Sequence, residues 1–242
     1  RFPEISLSAT IGNFDGMHLG HKAILEKVKK NAKEKNLSSL VIFTEPHAAE
    51  YFSKINNTSP PPRIIPWRDK LRLISENAID FCMLLRFDES LKSMTPEQFT
   101  GKILEELQIK SLTIGDDFKF GKDRKGDYQF LKNWGESMEI EIDKTDTIKI
   151  DDQRVSSTRI REALISNNFE SANVMLDWHY SYSGKVVYGN KLGREIGIPT
   201  ANIWIPKQKL PISGVYAVRC IVDNAEYLGI ANMGIRPTVG GK

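Results

Sequence analysis

The chain contains 242 residues, 40% of them hydrophobic and 27% charged, and carries a formal net charge of +3. This composition is typical of a globular protein and excludes a disordered, fibrous or collagen-like chain. The small positive balance permits anionic substrates, but it is too weak to indicate nucleic-acid binding. No apolar run approaches the roughly 20 residues that a membrane span needs, so we expect no membrane partner.

The cysteine content and the start of the chain bear on its location. Cys82 and Cys220 lie far apart and are the only two cysteines, which excludes a disulfide framework and a cysteine-based zinc site. No signal peptide opens the chain, and we therefore expect a cytoplasmic protein. Because Arg1 is not an initiator methionine, we also expect that one end has been trimmed or left out. Self-association stays open.

Residues from about Leu7 to Leu176 alternate short apolar runs with amphipathic stretches. The predicted elements are strands at 7–12, 40–43, 81–85 and 111–114, and helices at 21–33, from Trp67 and after Thr95. The last of these helices is predicted to begin with a capping box formed by Thr95 and Gln98. Alternating strands and helices predict a Rossmann-like α/β domain with a mostly parallel, doubly wound sheet. In such folds ligands bind at the carboxyl ends of the strands.

After His179 the pattern changes to short strands separated by Gly, Pro and Asn, with no helical stretch between them. The predicted strands are 182–188, 200–205, 214–222 and 227–231. This pattern predicts an antiparallel β-barrel or sandwich. We place the boundary near Asp177, which divides the chain into domains 1–177 and 178–242.

The first segment with a chemical signature lies between the first predicted strand and the first helix. Residues 12–21 read Gly-Asn-Phe-Asp-Gly-Met-His-Leu-Gly-His, and they put His18 and His21 three residues apart. Imidazoles with this spacing can share one side of a helix start, where free N–H groups and the helix dipole favour phosphate. The segment therefore predicts a phosphate site in which imidazole donors stabilise developing charge. Zinc binding is not favoured, because further ligands are missing nearby.

Residues 12–21 resemble the signature of the bacterial bifunctional riboflavin kinase/FMN adenylyltransferases, or FAD synthetases. Further segments follow in the order of that family: Phe-Thr-Glu-Pro-His at 43–47, Pro-Arg-Ile at 62–64, Gly-Asp-Asp-Phe-Lys-Phe-Gly at 115–121 and Val-Ser-Ser-Thr-Arg-Ile-Arg at 155–161. The resemblance covers nearly the whole chain. It implies a nucleotidylyltransferase domain that joins ATP and FMN into FAD.

The resemblance also implies the roles of individual residues in this first domain. His18, His21 and Arg161 are the expected catalytic residues, and Asp117 and Arg63 are expected to bind the flavin. The residues expected to bind ATP and its phosphates are Gly12, Asn13, Phe14, Asp15, Gly16, Ser157 and Thr158. Ser156 and Ser157 are natural N-caps of a further helix whose N-terminus is expected to face the carboxyl edge of the sheet, with Arg161 in its first turn, where a guanidinium can bind phosphate oxygens. From the local sequence alone, plain serine capping with a solvated arginine at position 161 is an equally good alternative.

A second signature lies in the second part of the chain. Residues 184–189 read Gly-Lys-Val-Val-Tyr-Gly and residues 193–202 read Gly-Arg-Glu-Ile-Gly-Ile-Pro-Thr-Ala-Asn, which resembles the riboflavin kinase signature. Main-chain N–H groups of a glycine-rich loop can surround phosphates. Thr200 and Asn202 alternate on a predicted strand and offer hard oxygen ligands for Mg²⁺. The residues expected at the phosphates are Gly189, Gly193, Arg194 and Gly197.

The resemblance implies phosphorylation of riboflavin to FMN and adenylylation of FMN to FAD, with release of pyrophosphate. The expected partners are ATP, riboflavin and FMN, with Mg²⁺ as cofactor. The family's kinase continues into a strand with a catalytic glutamate and a final helix, which these residues do not match, so we expect a C-terminally incomplete β-barrel domain. Two alternatives stay open: a monofunctional nucleotidylyltransferase with another acceptor, and a non-enzymatic flavin- or RNA-binding module.

Overall fold

The computed structural model describes residues 5–188, 200–205 and 210–234 of the chain. Its first part alternates strands and helices, as the periodicity predicts. The elements are β1 (Leu7–Ile11), α1 (Leu19–Lys35), β2 (Ser38–Glu45), α2 (Ala48–Ile55), α3 (Trp67–Glu76), β3 (Phe81–Arg86), α4 (Glu89–Ser93), α5 (Pro96–Phe99), β4 (Ile109–Ile114), α6 (Tyr128–Met138), β5 (Glu141–Lys144), β6 (Lys149–Ile150), β7 (Gln153–Arg154), α7 (Ser157–Ile165) and α8 (Phe169–Leu176). A π-helical turn at Thr100–Leu104 and a 3-10 turn at Glu105–Leu107 extend α5, and another 3-10 turn covers Lys122–Arg124.

Five of these strands form one sheet in the order β3-β2-β1-β4-β5, and every neighbouring pair is parallel. The predicted parallel α/β sheet is therefore confirmed. Strand order reverses between β1 and β4, and in open α/β sheets a crevice forms outside the carboxyl ends of strands at such a point. The sequence predicts four of the five strands within a few residues, but it does not predict α2, α6 or β5.

Side chains on the two faces of the sheet pack into two separate apolar clusters. Val41 and Phe43 of β2 belong to the cluster that includes α7 and α8 residues, whereas Leu40 and Ile42 belong to the cluster beneath β4 and α6. This alternation follows from the period-two geometry of a strand. Strand β2 is buried on both faces and contains an apolar run at 40–43, whereas β1 alternates apolar residues with Ser8 and Thr10 although all five of its residues are buried. Each fully buried aliphatic or aromatic side chain contributes about 1.5–3 kcal/mol.

The second part contains β8 (Val186–Val187), β9 (Asn202–Ile203), β10 (Gly214–Val222) and β11 (Ala225–Met233). Strand β8 pairs with β9 and β10 with β11, both antiparallel. All four predicted strands have a counterpart, although two of them are only two residues long. Within the described residues they form two separate two-stranded sheets, and the predicted closure into a barrel is not seen. Large apolar side chains such as Val215 and Ile230 remain 70% and 81% exposed on the β10–β11 hairpin.

Other features of the described residues concern the cysteines and the helices. Cys82 and Cys220 are both free thiols. None of the helices in the described ranges has the length and apolar character needed to cross a membrane.

Candidate active site

A tight turn follows β1 and shapes the start of α1. Phe14, Gly16 and Met17 adopt left-handed backbone conformations, with φ angles of 49°, 88° and 44°. Phe14 and Met17 bury their side chains in the core at the same time. A non-glycine residue in this region costs about 1–3 kcal/mol, so the surrounding packing must hold the turn in place. The turn places His18 at the N-cap position of α1.

His18 and His21 lie against one another at this helix start, as their spacing predicts. Their rings are stacked with centroids 3.7 Å apart and planes 18° apart. The backbone N–H of His21 donates to Nδ1 of His18 at 3.4 Å, which places the proton of a neutral His18 on Nε2. Nδ1 of His21 is buried and has no hydrogen-bond partner among the described residues. Both rings therefore retain hydrogen-bonding capacity for a ligand.

Burial keeps both imidazoles neutral at pH 7. Desolvation, with a further contribution from the positive charge of Arg154, lowers the pKa of His18 to about 4. Desolvation also lowers the pKa of His21 well below its usual value, and the neighbouring His18 adds to this effect. A neutral imidazole can donate one N–H without carrying a charge of its own. The pair is thus suited to hydrogen-bond an anion that enters the site.

The start of α7 faces the same turn. Ser156 is the N-cap of α7 and accepts the backbone N–H of Arg159 at 3.3 Å. The hydroxyl of Ser157 donates to the carbonyl of Asp15 at 2.8 Å. Ser157 and Thr158 are the first two residues of this helix, so their backbone N–H groups have no partner within it. Two helix N-termini, those of α1 and α7, therefore meet at one place, as the serine pattern predicts.

Arg161 lies behind this meeting point. It is the fifth residue of α7, one turn further along the helix than the sequence prediction of a first-turn position. Its guanidinium donates to the Asp15 carboxylate at 2.6 Å and to the carbonyl of Pro62 at 2.7 Å. Asp15 is buried and also accepts the backbone N–H of Ile64 at 3.2 Å. Arg161 and Asp15 thus tie the turn to the segment that precedes α3.

A cleft of about 1080 Å³ opens at the carboxyl edge of the sheet, above β1 and β4. Its position agrees with the expectation for the switch point. Eight of the predicted site residues line it: Gly12, Asn13, Phe14, His18, His21, Asp117, Ser157 and Thr158. Four others, Asp15, Gly16, Arg63 and Arg161, do not form part of its lining.

Arg63 is buried beneath the cleft rather than exposed within it. Its side chain is 3% exposed and donates to Glu45 and Glu50, with nitrogen–oxygen distances of 2.5 Å to each. Burial alone would lower the pKa of this guanidinium, but hydrogen bonds to both carboxylates raise it above its usual value. The contacts in the structure are those of an internal ion-pair network. Direct contact between Arg63 and a flavin stays a prediction.

Three residues on the cleft wall that connect β4 to β7 were not predicted as site residues from the sequence. Arg154 donates to Asp116 at 2.6 Å and lies 3.0 Å from Asp117, while the hydroxyl of Thr147 also donates to Asp116. Burial would raise the pKa of Asp116, but the hydrogen bond from Thr147 and the charge of Arg154 lower it below the usual value. Arg154 directly precedes the 155–161 segment, and this position is the signal that could have revealed it.

A buried lysine and a third histidine form another cluster that the sequence analysis did not identify. Nζ of Lys70 lies 2.9 Å from Nε2 of His47 and 4.6 Å from the centre of the Phe43 ring. Desolvation lowers the pKa of Lys70 to about 8. It also lowers the pKa of His47 to about 2, with Lys70 as the next cause. Lys70 shares the buried face of α3 with Leu73 and Ile74, and its spacing from them was the available signal.

The predicted ligands of the second part are only partly within the described residues. Thr200 and Asn202 are both exposed, and Asn202 belongs to β9, where it pairs with Val187. Gly189, Gly193, Arg194 and Gly197 lie outside the described residues. Among the residues that the structure describes, no group of three or more His, Cys, Asp or Glu side chains is arranged to hold a metal ion.

Two family models match the chain, FAD synthetase over residues 4–159 and riboflavin kinase over residues 176–242. The chain is 38% identical over 241 residues to the bifunctional riboflavin kinase/FMN adenylyltransferase of Escherichia coli K12, covering 99% of this chain and 76% of that protein. It is 40% identical over 234 residues to the protein of the same name from Haemophilus influenzae, covering 96% of this chain and 75% of that protein.

A solved structure is similar over nearly the whole chain. It is described as a macrolide-efflux protein from Streptococcus pneumoniae and shares 27% identity with this chain, with a TM-score of 0.77, covering 98% of this chain and 78% of the other. The level of sequence identity and the two matching family models decide the assignment. The chain belongs to the bifunctional riboflavin kinase/FMN adenylyltransferase family.

Proposed function

We propose that the cleft above β1 and β4 transfers the adenylyl group of ATP to FMN, and that the second part phosphorylates riboflavin to FMN with ATP. The chain would thus carry out the last two steps of FAD formation. The observation that carries the first assignment is the stacked, neutral His18–His21 pair at the start of α1, opposite the start of α7. The family of the chain supplies the identity of the two substrates.

In the proposed transfer, a phosphate oxygen of FMN attacks the α-phosphorus of ATP. The new oxygen–phosphorus bond forms as the bond to the β-phosphate bridging oxygen breaks, and pyrophosphate leaves with that electron pair. In this arrangement Nε2–H of His18 donates to a phosphate oxygen, and the ring of His21 provides a second polar group beside it. These contacts stabilise the negative charge that develops during transfer, in a buried site where such contacts are strong.

The N-terminus of α7 holds the other side of the triphosphate in this proposal. Backbone N–H groups of Ser157 and Thr158 face the cleft, and the helix dipole adds positive potential there. Arg161 supports the turn through Asp15. A contact between Arg161 and ATP phosphates, as the sequence predicts, would require this ion pair to open. Asp117, whose side chain is 73% exposed, lies on the cleft wall beside Arg154, where we place the flavin.

Mg²⁺ is the expected ion in both parts. The hydroxyl of Thr200 and the amide oxygen of Asn202 are both exposed, and such oxygen donors suit Mg²⁺ together with ATP phosphates and water. The residues therefore fit the ion in the second part. In the first part, the ion would take its ligands mainly from the phosphates. When bound, Mg²⁺ neutralises phosphate charge, while the side chains named above bind and orient the nucleotide.

We also propose that the two activities divide near Asp177, where α8 ends, and that β8 to β11 belong to an antiparallel barrel. Support for the boundary comes from the change from α/β to purely antiparallel pairing across it. Support for the barrel comes from the apolar side chains exposed on β10 and β11, because sheet faces of this kind pack against further strands in closed barrels.

The test incubates the purified chain with Mg²⁺, ATP and one acceptor at a time: FMN, pantetheine phosphate or nicotinamide mononucleotide. We expect pyrophosphate release and FAD formation with FMN alone. Product formation with another acceptor instead would support the monofunctional alternative. In a parallel reaction, riboflavin and ATP should give FMN if the second part is an active kinase. Binding of flavin or RNA without any turnover would support the non-enzymatic alternative.

A further inference from the structure

Seven residues between α8 and the second part, 177–183, lie against the first part and are here called the connector. Lys22 donates to the backbone carbonyl of Asp177 at 2.9 Å and to its carboxylate at 2.8 Å. The indole N–H of Trp178 donates to the carbonyl of Gly16 at 3.1 Å. Ser183 donates to the buried Asp69 carboxylate through its hydroxyl and, at 3.1 Å, through its backbone N–H. The backbone N–H of Tyr180 also donates to the side-chain oxygen of Asn173 in α8 at 2.8 Å, so the connector is bonded to the first part at four places.

Two of these places, Lys22 and Gly16, adjoin the histidine pair in sequence, whereas Asp69 adjoins the separate Lys70–His47 cluster. Lys22 directly follows His21 on α1. Gly16 precedes His18 by two residues and has the left-handed conformation that turns the chain into the site. Asp69 directly precedes Lys70, whose amine contacts His47. The bond from Trp178 is therefore the connector contact that acts directly on the turn leading to His18 and His21.

The Gly16 turn is tightly packed on the side that faces Ile64 and α8. A side-chain carbon added at Gly16 would lie 3.0 Å from Ile64 and 3.3 Å from Leu176, so the turn packs directly against α8. Trp178 closes the turn from the connector side, and its ring packs with Tyr180 at 6.2 Å and 27°. Both rings contact the apolar cluster of the first part. The carbonyl of Gly16 is therefore held by an anchored aromatic side chain.

We propose that Trp178 is a positioning residue for adenylyl transfer, because its indole N–H fixes the Gly16 turn that aims His18 and His21. This inference rests on the proposed function of the cleft. Misplacement of a catalytic group by about 1 Å can reduce a rate by about a hundredfold, and loss of one hydrogen bond permits only part of such a shift. The residue that completes the first site thus lies outside its α/β sheet, in the segment that leads to the kinase.

The test compares Trp178→Phe with the unaltered chain, using full-length protein throughout. Phenylalanine keeps an aromatic ring in the core but removes the donor to Gly16. We expect kcat for FAD formation to fall about fivefold to twentyfold, with KM for ATP and FMN changed less than about twofold. Kinase turnover should stay the same, and amide hydrogen exchange should accelerate at residues 14–21. A purely structural role would instead lower both activities in proportion to the unfolded fraction.

Tyr180→Phe is the matched control, because the hydroxyl of Tyr180 is buried without a hydrogen-bond partner among the described residues. This variant should keep the kcat of the unaltered chain. Asp177→Asn provides a second test that does not depend on core packing, since the Asp177 side chain is 60% exposed. It weakens the bond to Lys22, and we expect kcat for FAD formation to fall about twofold to fivefold.

An unchanged kcat in Trp178→Phe would overturn the inference, whatever the result for Asp177→Asn, while leaving the proposed function intact. Equal losses of both activities together with a lowered Tm would overturn it as well. Absence of FAD formation by the unaltered chain would overturn the proposed function, and the inference with it.

Discussion

In the first part of the chain, the proposed phosphate contacts belong to a buried and internally bonded sheet edge, whereas in the second part Thr200 and Asn202 are exposed beside a two-stranded sheet. His18 is only 7% exposed and is held by a turn, a helix start and a stacked partner. Asn202 pairs with one strand and meets solvent. The first site is therefore preorganised by packing, while the described part of the second site would take its geometry from the ligands that bind there.

The charged side chains of the two parts also differ in how deeply they are buried. Arg63 is buried between Glu45 and Glu50, so each group depends on the others for compensation of its charge. Arg219 and Glu226 on the β10–β11 hairpin form a pair at 3.5 Å whose side chains are 76% and 54% exposed. Buried charges are costly to separate, and exposed pairs contribute little. Stability should therefore respond very differently to substitution in the two parts.

Arg63→Ala should show the largest effect on stability. It leaves two partly buried carboxylates without their cation, and breaking such a network costs about 3–5 kcal/mol. Urea unfolding of the two proteins at pH 7 measures the difference. The matched control is Arg219→Ala in the exposed pair, which should cost less than about 1 kcal/mol. Similar losses in the two variants would contradict the contrast between the parts.

His21→Ala should lower kcat for FAD formation by about a hundredfold to a thousandfold, the usual effect of removing one preorganised contact to developing charge. FMN formation from riboflavin should stay nearly intact. Lys33→Ala, an exposed position near the other end of α1, should leave both rates unchanged. If both activities fell equally in His21→Ala, the assignment of the two reactions to two parts of the chain would fail.

Thr200→Ala should give the reverse pattern, because it removes one proposed oxygen ligand of Mg²⁺. We expect riboflavin phosphorylation to fall about tenfold to a hundredfold, with a higher Mg²⁺ concentration at half-maximal rate, and FAD formation from added FMN to stay unchanged. Asn202→Ala should behave in the same way. An unaltered Mg²⁺ dependence in both variants would refute the metal role.

The buried His18 should make stability depend on pH. Its pKa is about 4 in the folded chain against 6.5 for an ordinary histidine, mainly because of burial. The unfolded chain therefore binds a proton as the pH falls below 6.5, whereas the folded chain does not. The part of the unfolding free energy that is present above pH 6.5 is consequently lost as the pH falls towards 4. Between pH 6.5 and 5 this amounts to about 2 kcal/mol.

His18→Gln should remove about that much of the pH dependence, measured as the difference in unfolding free energy between pH 7 and pH 5. His21 and His47, whose pKa values are also lowered by burial, should account for the pH dependence that remains in the variant. His179→Gln is the control, since His179 is exposed and its replacement should leave the dependence as it is. An unchanged pH dependence in His18→Gln would contradict the burial argument.

Local patterns predict most of the first part because β1, β2 and β4 are largely buried and its helix starts carry strong caps. The Thr95–Gln98 capping box, for example, forms as predicted, with distances of 3.0 Å and 3.3 Å. Helix α6 was not predicted from the sequence, because Gly135 interrupts its helical pattern, although Asp127 caps it. That glycine is required by packing, since a side-chain carbon there would lie 2.5 Å from Ile142. Only the tertiary structure shows this reason.

The site was predictable where its residues are adjacent in sequence and unpredictable where contacts cross the chain. The spacing of His18 and His21 predicts their proximity, and the serines predict the start of α7. The pairing of Arg161 with Asp15 spans 146 residues, and that of Trp178 with Gly16 spans 162. No local pattern indicates such partners. Barrel closure likewise depends on contacts between distant strands, and the described residues do not contain it.

The left-handed turn after β1 also determines where the specificity of this enzyme could be redesigned. Phe14 and Met17 set the backbone of the turn and fill the core with the same side chains, so mutant libraries at these positions would yield mainly misfolded protein. The wall formed by the loop after β4 offers the exposed side chains of Asp117, Lys119 and Lys122 on the same cleft. Directed evolution towards flavin analogues or other nucleotides would therefore start on that wall.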